Sequence, residues 1–219
     1  MSRFDWTVVM PVKVLGRAKS RLAVLAGPRR PELALALASD TVSAVLACPE
    51  VSRLLVVTSD TRAASVLSGL GAFIVPDAPD SGLNAALVYG AAEAARRWPG
   101  GGTAALAADL PALRPGELGA ALSSAAASPG GSFVADAAGV GTTMYASVPG
   151  GTFAPRFEGA SRARHASSGA RELDLGDVPG LRRDVDTPDD LRAALSLGAG
   201  PRTTEMLARY GLLDRSASG

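Results

Sequence analysis

Residues 103–113 read TAALAADLPAL, and this stretch decides the fold. Small apolar residues lead directly to one carboxylate, Asp109, which is followed by Leu110 and Pro111. A continuous apolar run between the glycines at 100–102 and Pro111 predicts a strand that is buried on both faces, as in a parallel sheet. Asp109 then lies at the carboxyl end of this strand, where open α/β sheets bind their ligands.

Asp109 has two interpretations at this point. An ionised side chain beside a buried strand needs a partner that offsets its desolvation, and a divalent metal ion is one such partner. The alternative is that Asp109 caps a turn, or the helix that is predicted to follow near Pro115. The stretch itself does not distinguish the two interpretations.

Composition and charge exclude several classes of protein. A chain of 219 residues buries a full core, and we expect residues 1–219 to form one domain with a frayed end at about 214–219. The formal charge of +1 argues against a nucleic-acid partner. The single cysteine, Cys48, cannot form an internal disulfide, which fits a reducing compartment. No apolar run has the length of a membrane span and no signal-peptide pattern is present, so we expect a cytoplasmic protein without a membrane partner.

Strands, loops and helices alternate along the chain. The predicted strands are 7–10, 54–58, 73–75, the run before Asp109, 132–135, 142–147 and 181–185. The predicted helices are 32–48, 63–70, 85–97, 117–126, 188–197 and 201–213. This alternation predicts a three-layer α/β/α domain with a mostly parallel sheet. Strands 132–135 and 142–147 predict a β-hairpin laid over the ligand end of the sheet, and the irregular stretch 149–169 predicts a loop that is either functional or disordered.

A basic loop follows the first predicted strand. Between Pro11 and Arg30 there is no acidic residue, and the basic residues are Lys13, Arg17, Lys19, Arg21, Arg29 and Arg30. Surface lysines commonly serve only solubility, and we expect Lys19 to be exposed. Here the charges share a loop with Gly16 and Ser20 at the carboxyl end of a strand, which favours a phosphate-binding loop. Neither the P-loop pattern nor the dinucleotide-binding glycine pattern is present.

A second acidic cluster lies at Asp184 and Asp186. Two carboxylates from distant segments that meet beside a basic loop predict a Mg²⁺ ion held between the protein and substrate phosphates. Asp186 has an alternative interpretation, as a cap of the helix that begins at Pro188. With a single histidine, His165, the chain offers no Ser-His-Asp or Cys-His site. Attack by a phosphate oxygen requires no proton abstraction, so positioning and charge neutralisation suffice.

Seven motifs spread over nearly the whole chain carry a family resemblance. They are MPVK at 10–13 with AKSRL at 18–22, ADLPAL at 108–113, GTT at 141–143, PRF at 155–157 leading to Ser161 and ARH at 163–165, and RDVDTP at 183–188. These motifs resemble the guanylyltransferases of coenzyme F420 biosynthesis. The resemblance implies a GT-A-like nucleotidyltransferase fold and transfer of GMP from GTP to a phosphorylated three-carbon acid, with release of pyrophosphate.

The resemblance also implies a choice between two acceptors. Actinobacterial members of the family use phosphoenolpyruvate and archaeal members use 2-phospho-L-lactate. The high Ala, Arg, Gly and Pro content resembles that of a high-GC actinobacterium and favours phosphoenolpyruvate. The downstream F420 transferase is implied as a partner. Two other classes stay open: a nucleotidyltransferase for another base or acceptor, and a non-catalytic nucleotide-binding module.

Roles for individual residues follow from the same resemblance. The implied GTP site is Pro11, Lys13, Lys19 and Arg21 at the phosphates, with Ser59, Asp77, Gly82, Leu83 and Asn84 at guanine and ribose. The implied catalytic residues are Lys19, Arg21 and Asp109. The implied Mg²⁺ ligands are Asp109 with Asp184 or Asp186. The implied acceptor site is Thr142, Glu158, Gly159 and Ser161, acting largely through backbone N–H groups. The family often has glycine directly after Phe157, where this chain has Glu158, so a contact that needs glycine would move to Gly159.

Overall fold

The computed structural model describes residues 4–212. Its strands are β1 Trp6–Pro11, β2 Val51–Val57, β3 Phe73–Val75, β4 Gly102–Leu106, β5 Gly131–Ala135, β6 Thr142–Ser147 and β7 Arg171–Glu172. Its helices are α1 Ala23–Ala26, α2 Arg30–Leu46, α3 Thr61–Gly69, α4 Leu83–Arg97, α5 Pro115–Ala126, α6 Ser161–Ser167, α7 Pro179–Arg182, α8 Pro188–Leu197 and α9 Pro201–Arg209. The frayed end predicted at 214–219 lies outside the described residues.

The strands form one sheet in the order β3-β2-β1-β4-β6-β5-β7. Strands β1 to β4 are parallel to one another, and β6 runs antiparallel to both β4 and β5. The mostly parallel sheet predicted from the sequence is therefore confirmed. After β1 the chain adds β2 and β3 on one side of β1, and it then crosses to the other side to form β4. A topological switch point therefore lies between β1 and β4. Ligands of open α/β sheets bind at the carboxyl ends of the strands at such a point.

Both faces of the central strands are buried beneath helices. Val8 and Met10 of β1 pack in the cluster that contains side chains of α2, α3 and α5. Val9, between them, packs with α4 on the opposite face. Gly90 lets α4 approach the sheet closely, because a Cβ at this position would lie 2.6 Å from Val9 Cγ1. The continuous apolar runs of the sequence therefore correspond to strands covered on both sides.

A second core lies on the outer face of α2. Leu33 and Leu37 of α2 pack there with Leu191 of α8 and Leu207 of α9. Asp40, also on α2, accepts hydrogen bonds from the backbone N–H of Arg202 and Thr203 at the start of α9. No helix among residues 4–212 is long and apolar enough to cross a membrane.

The predicted hairpin forms, but its position differs from the prediction. β5 and β6 pair as expected. The pair is built into the main sheet and does not lie over it, because β6 also pairs with the edge of β4 that β1 leaves free. This pairing satisfies backbone groups that an open edge would expose. The turn at 136–141 nevertheless lies at the ligand end of the sheet, where it lines a cavity.

Two local predictions were wrong, and one strand was not predicted. The strand predicted at 181–185 is instead the end of α7 followed by a connecting segment, because Leu181 and Val185 are buried in two different cores and not on one sheet face. The stretch 149–169 contains a helix, α6, that weak periodicity concealed. The short strand β7 was not predicted.

Candidate active site

A cavity of about 580 Å³ opens at the carboxyl ends of β1 and β4, at the switch point. Five segments contribute to its walls: the loop after β1, residues 106–109 at the end of β4, the β5–β6 turn, and the segments 157–161 and 184–186. Twelve predicted site residues line it: Pro11, Lys13, Lys19, Arg21, Leu83, Asp109, Thr142, Glu158, Gly159, Ser161, Asp184 and Asp186. The fold therefore brings together residues that are distant in the sequence.

Lys19 joins two walls of this cavity. Its ammonium group donates hydrogen bonds to the carboxylates of Asp109 and, at 2.7 Å, Asp186. Burial alone would lower the pKa of Lys19, but the charges of the two carboxylates raise it above its ordinary value. The expectation that Lys19 is exposed was wrong, since its side chain is only 14% exposed. Lys19 is therefore a permanent cation within the site.

The backbone of the basic loop is held in place by its own contacts. Lys19 adopts a left-handed conformation, with φ 54°, which costs a non-glycine residue about 1–2 kcal/mol. Arg30 donates to the backbone carbonyls of Gly16 and Ala18. Asp60, the N-cap of α3, accepts from the backbone N–H of Leu15 at 2.9 Å. Arg30 thus shapes the loop, while Lys13, Arg17 and Arg21 extend the basic lining of the cavity.

Asp109, Asp184 and Asp186 line the cavity close enough together for their charges to interact. Burial, followed by the charges of Asp109, Asp186 and Asp136, raises the pKa of Asp184 from 3.8 to about 7. Burial would also raise the pKa of Asp186, but the positive charge of Lys19 lowers it below its ordinary value. Within residues 4–212 no cluster of three or more His, Cys, Asp or Glu residues has the arrangement of a complete metal site. The carboxyl of Asp184 consequently lies in an excess of negative charge that a bound cation would relieve.

The capping interpretations of Asp109 and Asp186 are wrong. Helix α5 has Arg114 as its N-cap, and the Asp109 carboxylate bonds to Lys19. Helix α8 has Thr187 as its N-cap, whose hydroxyl accepts from the backbone N–H of Asp190. The backbone of the Asp109 loop is fixed separately, because the Asp109 carbonyl accepts from the N–H of Val185 at 3.1 Å.

The segment after Phe157 forms the opposite wall of the cavity. Glu158 has φ 81° and Gly159 has φ 54°, both in the left-handed region. Position 158 is therefore one where glycine is tolerated without strain, which gives a physical reason for the glycine expected there. Asn84 fixes this wall, since its side-chain amide donates to the Phe157 carbonyl and accepts from the Phe157 N–H at 2.9 and 2.7 Å.

Four predicted nucleotide-binding residues do not line the cavity: Ser59, Asp77, Gly82 and Asn84. Ser59 is exposed, and Asp77 accepts from the N–H of Asp80 within its own loop. Gly82, with φ 99°, precedes α4. The structure gives Asn84 a contact with protein backbone, and nucleotide contacts by these four residues stay predictions.

Sequence reasoning missed two residues near the site. Asp136 lines the cavity and accepts from the N–H groups of Val140 and Gly141 in the β5–β6 turn. An aspartate that begins a glycine-containing turn between two predicted strands was the available signal. His165 is buried behind Thr142 and bonds to it. No sequence signal indicated that pairing, because the two residues lie on separate elements.

Comparisons with known proteins agree with this arrangement. The family model described as "Guanylyl transferase CofC like" matches residues 6–217. A protein named phosphoenolpyruvate guanylyltransferase from Thermomonospora curvata is 60% identical, over 95% of this chain and 91% of its own. The protein of the same name from Streptomyces coelicolor is 55% identical, over 94% of this chain and 97% of its own.

Solved structures agree on the fold. A nucleotidyl transferase from Methanothermobacter thermautotroptrophicus superposes with a TM-score of 0.58 at 21% identity, over 90% of this chain and 98% of its own. A cytidylyltransferase from Leptospira borgpetersenii superposes with a TM-score of 0.55 at 10% identity, over 100% of this chain and 96% of its own. These neighbours confirm the predicted GT-A-like nucleotidyltransferase fold. Together with the family match and the curated relatives, they establish that this chain belongs to the family of CofC-like guanylyl transferases.

Proposed function

We propose that this protein transfers GMP from GTP to phosphoenolpyruvate and releases pyrophosphate, as a step of coenzyme F420 biosynthesis. The observation that carries the proposal is the cavity in which a basic loop meets the Asp109–Asp184–Asp186 cluster at the switch point. Membership of the guanylyl transferase family and the names of relatives at 55–60% identity support the base and the acceptor.

The basic loop supplies the charge that a triphosphate requires. Lys13, Lys19 and Arg21 line one wall and contribute fixed positive charges toward the phosphates. Lys19 stays protonated at any working pH because its pKa is raised. Cations that are held in place before the substrate arrives stabilise charge that develops in the transition state without reorganisation. Arg21 is exposed and remains available to the leaving pyrophosphate.

The donor set fits a magnesium ion. Mg²⁺ prefers carboxylate oxygens, and proteins usually hold it through one or two carboxylates together with substrate phosphates. Asp109 and Asp184 would hold it, because burial and the neighbouring negative charges raise the pKa of Asp184, and a bound cation would offset both effects. Asp186 would instead keep Lys19 in place, since its carboxylate is 54% exposed and bonds to that ammonium group. When bound, the ion would neutralise charge on the α-phosphate.

The chemistry of the transfer needs no general base. An oxygen of the acceptor phosphate attacks the α-phosphorus of GTP and forms a new phosphoanhydride bond. The bond between the α-phosphorus and the oxygen bridging to the β-phosphate breaks, and pyrophosphate leaves with that electron pair. The attacking oxygen is already ionised at neutral pH, so positioning and charge neutralisation account for catalysis. His165, which is buried and outside the cavity lining, takes no proton in this step.

The acceptor would occupy the wall formed by β6 and the segment before α6. Thr142 and Ser161 are buried at 8% and 2% exposure and line this side of the cavity. Hydroxyl and backbone N–H donors at such positions suit the phosphate and carboxylate of a small acid. Arg156 and Arg164, both exposed on this side, add positive charge nearby.

The proposal is tested by pyrophosphate release with a panel of nucleotides. The protein is incubated with phosphoenolpyruvate, Mg²⁺ and, separately, GTP, ATP, CTP or UTP. Release with GTP alone, which stops when phosphoenolpyruvate or Mg²⁺ is omitted, is the expected result. Equal release with CTP would contradict the choice of base, and no release with any nucleotide would contradict the activity.

A further inference from the structure

His165 is enclosed by aromatic rings behind the acceptor wall. Its ring is fully buried and stacks on Phe133 and Tyr145, with centroids 5.3 and 5.0 Å apart, while Phe157 meets it edge-on at 5.5 Å. Burial lowers its pKa to about 4; a hydrogen bond with the backbone of Ser161 opposes this shift, and the nearby charges of Arg156 and Arg164 add to it. The imidazole is therefore neutral at working pH and carries one ring hydrogen.

A backbone contact determines which nitrogen carries that hydrogen. The backbone N–H of Arg156 bonds to Nε2 at 2.8 Å, and a backbone amide acts only as a donor. Nε2 is thus the unprotonated acceptor, and the hydrogen is on Nδ1. Nδ1 lies 3.1 Å from the hydroxyl oxygen of Thr142, so the ring donates to this oxygen. A neutral imidazole has one donor and one acceptor nitrogen, and both are used here.

The consequence for Thr142 is a hydroxyl whose own hydrogen has no acceptor in the part of the chain that the structure describes. Among residues 4–212, His165 is the one hydrogen-bond partner of the Thr142 hydroxyl, and the hydroxyl lines the cavity. Because its oxygen accepts from Nδ1, its hydrogen is left to be donated elsewhere. Because Thr142 lines the cavity, a ligand bound there can supply the acceptor.

An irregularity in the sheet makes this contact possible. Ala135 pairs with Thr142 and Val134 with Met144, so Thr143 is an extra residue on β6. In a regular strand, residues three apart point to opposite faces. Here Thr142 and Tyr145 both contact His165, which places their side chains on the same side. Bulges of this kind redirect side chains and are frequent beside active sites.

We infer that His165 is a positioning residue that makes Thr142 a one-way hydrogen-bond donor toward an anionic oxygen of the acceptor. The inference rests on the proposed function. It assigns the phosphate or carboxylate of the acceptor, and not the nucleotide, as the group that Thr142 recognises. It also explains how a buried, neutral histidine contributes to binding without touching a substrate.

The tautomer is testable without any substrate. Since the chain has one histidine, ¹⁵N-histidine labelling gives one pair of ring signals. A long-range ¹H–¹⁵N spectrum at pH 7 is expected to show Nδ1 protonated and Nε2 unprotonated, with Thr142→Val shifting the Nδ1 signal. A protonated Nε2, or a charged ring at pH 7, would overturn the inference, whatever the enzyme's activity.

Two substitutions separate positioning from structure. The amide of His165→Asn retains a donor near the Nδ1 position, whereas that of His165→Gln retains an acceptor near the Nε2 position. Loss of one hydrogen bond to a charged group raises KM about tenfold, so we expect this increase in the phosphoenolpyruvate KM for His165→Gln, with the KM for GTP unchanged. His165→Asn is expected to rescue most of it.

The outcomes are distinct. Equal phosphoenolpyruvate KM values for His165→Gln and His165→Asn, or an equal rise in the KM for GTP, would overturn the inference while the proposed function stands. If His165→Gln does not fold, the spectrum of the unchanged chain still decides, because its tautomer is fixed by the same contacts. If the unchanged chain shows no turnover with GTP and phosphoenolpyruvate, the proposed function fails and Thr142 has no acceptor to recognise.

Discussion

Replacing Asp184 with asparagine is expected to stabilise the metal-free protein and to impair turnover. Asp184 is a partly buried carboxyl whose pKa is raised from 3.8 to about 7 by burial and by the charges of Asp109, Asp186 and Asp136. Its carboxyl accepts or donates no hydrogen bond within residues 4–212, so asparagine loses none there. The substitution removes a charge that the folded state disfavours.

The pH dependence follows from proton binding. In the unfolded chain Asp184 releases its proton near pH 3.8, whereas in the folded chain it retains the proton up to about pH 7. The folded state binds more protons over this range, so the group makes the wild type less stable as the pH rises from 4 to 7. Ionisation of Asp184 therefore lowers the free energy of unfolding of the wild type by about 4 kcal/mol at pH 7, by about 2 kcal/mol at pH 5 and by less than about 1 kcal/mol at pH 4.

Urea unfolding followed by circular dichroism, with EDTA at pH 4, 5 and 7, measures this difference. Asp184→Asn should exceed the wild type in stability by a margin that grows with pH. Asp189→Asn is the matched control, since it removes the same charge from an 83% exposed side chain on α8 and should change little. With Mg²⁺ and substrates, Asp184→Asn should lose on the order of 10²–10³ in turnover. A margin that is absent at pH 7, or the same at pH 4, would refute the reasoning.

The remaining predictions use the same assays. Asp109→Asn should lose a similar factor in turnover. It should also lose about 1–3 kcal/mol of stability, because Lys19 loses a charged partner. A rise in the urea midpoint would contradict this expectation. Lys19→Met should cost about 3 kcal/mol at pH 7 as well as turnover. Because the pKa of Asp186 is lowered, that pair's contribution is present above the ordinary value of 3.8 and is lost as the pH falls through the lower pKa of the folded state, so a stability loss that stays the same from pH 5 to pH 2 would argue against the pair. Glu158→Gly should gain up to about 1 kcal/mol, because relief of about 1–2 kcal/mol of left-handed strain outweighs the added unfolded-state entropy, whereas Glu158→Ala should not. Equal urea midpoints for these two variants would rule out strain at this position.

Much of the architecture could be predicted because its signals are local. The apolar run before Asp109 is buried on both faces, and Ala-rich helices cover it as expected. The placement of Asp109 at the carboxyl end of that strand followed from the run alone. The segment at Leu181 and Val185 shows where local signals fail, because two buried residues four apart belong to different cores. No pattern within five residues reveals which core buries each of them.

The interior of the site could not be predicted for a similar reason. Lys19 and Asp186 are separated by 167 positions, so their ion pair exists only in the folded chain. The sequence indicated that each residue was charged. The expectation that Lys19 is exposed and the capping role considered for Asp186 were both inferred from residues adjacent in the sequence, which carry no information on this pairing. A β-bulge brings the side chain of Thr142 to His165, and the periodicity of the sequence does not predict this bulge.

The central claim is that the cavity joins GMP to phosphoenolpyruvate through attack on the α-phosphorus of GTP. Mass spectrometry of a reaction with phosphoenolpyruvate ¹⁸O-labelled at its non-bridging phosphate oxygens, in the presence of unlabelled 2-phospho-L-lactate, tests it most directly. We predict an adduct of GMP and phosphoenolpyruvate that retains all of the label, together with unlabelled pyrophosphate. Label in the pyrophosphate, an adduct of 2-phospho-L-lactate alone, or no adduct would contradict it.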